Sequence, residues 1–126
     1  GWSQTCALLL EFMDMLGYIY LQHGLPDKAA VLLAAREVLA PGEPRALLTL
    51  ALAQVRSGKG ERALATLERL ALAGGVDAGF HLVRAQALRA VGRTDEAAAA
   101  MRAHVAARAA AAPLPAHATG GMNTTD

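Results

Sequence analysis

The chain has 126 residues, which suits a single domain, and 54% of them are hydrophobic, enough to bury a core without disulfides or metals. Thirty Ala and twenty Leu dominate, against seven Val, one Ile and 4% aromatics, so the composition favours helices and excludes a β-rich fold. A net charge of +1 provides no electrostatic footprint for nucleic acid, and a single cysteine excludes a disulfide framework or a multi-cysteine zinc site.

In chain order, Gly1-Trp2-Ser3-Gln4 carry no charged n-region of a secretory signal, and Trp2 to Ala7 read as an N-terminal arm or an extra helical turn. Helices are expected near 8–22, 27–39, 44–56, 61–73, 78–90 and 95–110. Glu11 and Asp14 interrupt the only apolar run that approaches membrane-spanning length, so no direct membrane insertion is expected. Pro26 and Pro44 suit helix starts, where the missing N–H costs nothing. Pro113 and Pro115 stop the last helix, and Gly120-Gly121 with Asn123-Thr124-Thr125 reads as a disordered tail. The expected organisation is an arm over 1–9, a repeat domain over 10–110 and a tail over 111–126.

The repeat shows in the glycines. Gly24, Gly58 and Gly92 stand 34 residues apart, each followed five positions later by an alanine (Ala29, Ala63, Ala97). Nine positions after each glycine comes a bulky apolar residue: Leu33, Leu67 and Met101. Upstream, Leu16-Gly17-x-x-Tyr20 with Met13 reproduces a W-x-x-L-G-x-x-Y element, and Pro41 closes the first unit. This period and pattern resemble the tetratricopeptide repeat (TPR). The resemblance implies an all-α, right-handed α-solenoid of three helix-turn-helix repeats, each an A helix followed by an antiparallel B helix.

The A helices of such a stack line a concave groove, and their groove-facing residues are the candidate binding site. They read Glu11, Asp14, Tyr18 and Leu21 in the first repeat. Arg45, Leu48, Leu52 and Val55 follow in the second, and Gly79, Leu82, Gln86 and Arg89 in the third. Leu48, Leu52 and Val55 form an apolar strip that is costly to leave in water, and such strips mark interaction sites. The alternative is that this helix is simply buried, or covered by the chain's own ends. Residues 1–23 hold two acids and no Lys or Arg, whereas 84–108 hold five Arg and two acids; that polarity would orient a bound helix.

No catalytic constellation accompanies the groove. His23, His81, His104 and His117 form no ligand pair at helical spacing, and Cys6 has no neighbouring His to activate it. Gly58-Lys59-Gly60 lacks the spacing of a phosphate loop. Met13 and Met15 read as core or groove filler. The expectation is a non-enzyme without cofactor or metal.

More narrowly, the chain resembles the three-repeat chaperones of bacterial type III secretion, and among them the YscY (SctY) group. The resemblance rests on Leu9-Leu10-Glu11, on Leu16-Gly17 through Gly24, on Ala29-Ala30-Val31-Leu32-Leu33 with Pro41, and on Asp77 through Leu88. It departs at His81, where a tryptophan belongs. It implies a protein of the bacterial cytoplasm, peripheral at most to the inner-membrane apparatus, that holds a small secreted helical partner of the YscX (SctX) type. By the same implication the pair acts with the export gate. Translocator-class chaperones share the architecture, and self-association of the free chain stays open. A general peptide-terminus adaptor would need a Lys/Asn carboxylate clamp; no A helix carries a Lys, and the first Asn is Asn123.

Overall fold

The computed structural model describes residues 1–113. Six helices follow one another: α1 (Trp2–Gln22), α2 (Pro26–Leu39), α3 (Pro44–Arg56), α4 (Gly60–Leu72), α5 (Ala78–Ala90) and α6 (Thr94–Ala111). No strand occurs among the described residues. Each helix packs on the next, and the A helices also meet one another, α1 with α3 and α3 with α5. The B helices α2, α4 and α6 make no such approach. The A helices therefore lie on the inner side of the stack, as a three-repeat helical solenoid requires.

Local chemistry explains the punctuation. Helices α1, α3 and α5 all end in the same hydrogen-bonded turn: Leu25 N donates to Tyr20 O (2.8 Å), Lys59 N to Gln54 O (2.8 Å) and Arg93 N to Leu88 O (2.9 Å). This Schellman geometry needs a left-handed residue one place earlier. Gly24, Gly58 and Gly92 occupy it, with φ of 71°, 77° and 84°. Helices α2 and α3 begin at Pro26 and Pro44 as expected. Glu43 and Asp77 cap α3 and α5 by accepting from Ala46 N (2.7 Å) and Phe80 N (2.9 Å).

The small residues mark close approach. A Cβ on Gly17 would lie 2.7 Å from Leu33 Cδ2, and Ala51, its counterpart in the second repeat, is fully buried. Ala29 and Ala63 are likewise fully buried on the B helices. The main core gathers Leu47, Ala51, Leu67, Leu70, Phe80, Val83 and Ala87 from α3, α4 and α5. A second cluster joins α1, α2 and α3 through Leu21, Ala30, Leu33, Leu50 and Ala53.

Of the two readings of the start, an arm or an extra helical turn, the structure shows helix: α1 begins at Trp2, and residues 2–9 are continuous with the first repeat instead of a separate arm. Nothing between Trp2 and Gln22 breaks a helix: the segment has no proline, and its one glycine, Gly17, is held against Leu33. Helix α6 reaches Ala111, two residues before Pro113. The expected tail, including Pro115, His117, Gly120, Gly121 and Asn123 to Thr125, falls at 114–126, outside the described residues.

Candidate functional site

The inner side divides into two clefts, one between each pair of successive A helices. The first, between α1 and α3, has a volume of about 460 Å³. Glu11, Asp14, Met15 and Tyr18 line it from α1, and Arg45, Ala46 and Thr49 from α3, with Leu33, Arg36 and Glu43 at its floor and edge. The second, of about 370 Å³, lies between α3 and α5 and is lined by Val55, Arg56, Gln86, Arg89 and Ala90. Three carboxylates face two guanidinium groups in the first cleft, whereas the second carries two arginines and no acid. The charge asymmetry read along the sequence is therefore present along the inner side.

The candidate residues separate by position. Tyr18 and Arg45 are exposed on opposite walls of the first cleft, and Val55, Gln86 and Arg89 line the second. Leu48, Leu52 and Leu82 line neither. All three are half-buried, Leu48 and Leu52 because the packing of α3 draws them onto the main core. Leu48 is tight enough that a Cβ on Gly79 would lie 3.1 Å from its Cδ2. The apolar strip thus partly fills the space between A helices, leaving its polar flanks to form the clefts.

Leu21 is corrected outright. It is buried among Ala29, Ala30, Leu33, Leu50 and Ala53 and does not line the groove. The reason is angular: four residues after Gly17, it stands only about 40° around the helix from the core-facing row. An apolar side chain at that border turns inward.

Sequence reasoning missed Arg36. Its guanidinium is buried and clamps Asp14 through Nε–Oδ1 (2.6 Å) and a second nitrogen to Oδ2 (3.3 Å), while its other terminal nitrogen donates to Ala40 O (2.8 Å). This fork fixes the Asp14 carboxylate at the base of the first cleft. The 34-residue register held the signal. Arg36 aligns with Leu70, a core residue, and with His104. A charge in a core register position must be paired, and the structure pairs it with Asp14, on α1 of the same repeat.

Of the three histidines within the described residues, His23 is exposed at the C-terminal end of α1 and the other two make contacts within the stack. His104 Nδ1 lies 2.7 Å from the Ala78 carbonyl and His81 meets Phe80 edge to face at 5.4 Å. No group of three His, Cys, Asp or Glu side chains is placed to hold a metal ion among the described residues, and no helix there is long and apolar enough to cross a membrane. In comparisons with known proteins, no family model matches the chain and no curated protein matches it.

Proposed function

We propose that the protein is a non-catalytic binding scaffold that holds one helical segment of a protein partner along its A-helix side. The observation that carries this reading is the pair of clefts, acidic-mixed between α1 and α3 and basic between α3 and α5, which follow one another along the inner side of the stack. A helical ligand with its basic end toward Glu11 and Glu43 and its acidic end toward Arg56 and Arg89 would be oriented by that asymmetry. Tyr18 supplies a large amphipathic surface with few rotatable bonds, as recognition surfaces favour.

Within this reading, the resemblance to YscY-type chaperones supports the narrower proposal that the partner is a small secreted protein of the YscX type, kept soluble until export from the bacterial cytoplasm. The lack of a Lys/Asn clamp on the A helices weighs against a peptide-terminus adaptor.

The test is native mass spectrometry of the full chain purified from its own host, followed by binding of the co-purified protein to Tyr18→Glu/Arg45→Glu. Both side chains are exposed, so the variant should keep its helical circular dichroism. A stoichiometric small helical partner whose affinity falls at least about tenfold in the variant, about 1.4 kcal/mol, is expected. Unchanged affinity would remove the cleft assignment.

A further inference from the structure

The end helices α1 and α6 repeat, in register, the two faces that meet in an interface the chain builds twice internally. Inside the molecule, each later A helix is covered by the B helix of the preceding repeat, α2 on α3 and α4 on α5. The 34-residue register aligns Phe12 of α1 with Ala46 and Phe80, Met15 with Thr49 and Val83, and Ile19 with Ala53 and Ala87. Phe80 is 7% exposed and Val83 5%; Phe12 is 54% exposed and Met15 56%. With Leu8, these side chains recur at i, i+4, i+7 and i+11, one continuous apolar stripe along α1.

The opposite end carries the complement. The same register aligns Met101 of α6 with Leu33 and Leu67, each 1% exposed where it packs, whereas Met101 is 42% exposed. Val105, aligned with Glu37 and Ala71, is exposed beside it. Solenoids that end in solution present polar outer faces on their terminal repeats. This chain presents an apolar A-type face at one end and an apolar B-type face at the other.

We propose that a second copy of the chain joins head to tail, the α6 face of one copy packing on the α1 face of the next in the register of α2 on α3 and α4 on α5. Charge favours this pairing over self-pairing of α1. Helix α1 has no Lys or Arg and exposes Glu11, whereas the α6 segment around Met101 and Val105 exposes Arg102 and Arg108, the helix's two acids, Asp95 and Glu96, lying in its first turn. An α1–α1 dimer would bring acid to acid and leave both α6 faces bare. The contact is heterologous, so it grows beyond a dimer as concentration rises. Of the stripe only Met15 also borders the first cleft, and the proposal does not rest on the proposed function.

Sedimentation velocity of the full chain across a wide concentration range tests it, with Phe12→Glu removing one face and Val105→Glu the other. The expected result is a wild-type mass that climbs past the dimer, and loss of association in each variant alone. Mixed together, the two variants should form a one-to-one dimer and nothing larger, because each retains one intact face. Leu8→Glu should reproduce Phe12→Glu and guards against a folding defect at Phe12. A wild-type chain that is monomeric at every concentration overturns the proposal, and so does a Val105→Glu chain that still dimerises by itself.

Discussion

At the scale of single residues, the pair Arg36–Asp14 concentrates the unusual chemistry of the molecule. A buried guanidinium is tolerable only while its donors are met, and here Asp14 and the Ala40 carbonyl meet them. Asp14 is 38% exposed, so solvent screens part of the attraction. Asp14→Ala should cost about 1–3 kcal/mol in chemical denaturation, most of it from the orphaned guanidinium. Arg36→Leu should cost less, because Leu70 occupies the same register position in the second repeat and packs there without a charge. The double variant Asp14→Ala/Arg36→Leu should recover most of the loss caused by Asp14→Ala. Additive destabilisation in that cycle would mean that the two side chains act separately. Glu37 beside them is buried too, with one oxygen accepting from Gly42 N at 2.8 Å.

At the scale of elements, helices start and stop for reasons that differ along the chain. Proline opens α2 and α3, carboxylate caps hold α3 and α5, and α6 begins without a side-chain cap. Across the first turn of α6, Arg93 instead clamps Glu96 (2.6 and 2.9 Å), placing a negative charge at the helix N-terminus where the helix dipole favours it. The hydrogen bond from Arg93 holds the Glu96 carboxyl below the ordinary carboxylate range. Its folded-state pKa therefore lies below its unfolded one. The contribution is present above the unfolded value and fades as pH falls through the folded one. Thermal unfolding of Glu96→Gln should accordingly fall slightly below wild type at neutral pH, and the two should converge in acid. A difference that persists in strong acid would assign the effect to something other than this ionisation.

At the scale of the whole molecule, stability is distributed along the stack. The main core draws on α3, α4 and α5, whereas α6 buries only Ala97 and Ala100, and α1 buries nothing before Met13. In a solenoid each repeat is stabilised by its neighbours, so ends with one neighbour open first. Amide hydrogen exchange at low concentration should be slowest in α3 and α4 and fastest in the first turns of α1 and the last turns of α6. Uniform protection would contradict a quasi-linear stack. The same ends should gain protection at high concentration if copies join head to tail, which links this measurement to sedimentation.

The repeat architecture was legible because its determinants are local and periodic. A glycine every 34 residues fixes the turn, since few other residues tolerate its left-handed backbone, and the alanines five positions later fix where helices touch. The starts of α2 and α3 followed from proline and the turns after α1, α3 and α5 from glycine, whereas α5 starts at its Asp77 cap and the first turns of α1, which carry no breaker, extend the first repeat. The site was only partly legible. Tyr18 and Arg45 were placed on the first cleft because exposed, groove-row residues need only helical geometry to be located. Leu21, Leu48 and Leu52 were not, because an apolar side chain on the border of two rows goes wherever the neighbouring helix leaves room. Arg36 stayed hidden for the opposite reason: its role depends on a carboxylate 22 residues away and on burial that only packing supplies. Sequence by itself determined the helices, their turns and their order. The tertiary structure decided which faces are covered, because burial is a property of distance between elements and not of spacing along the chain.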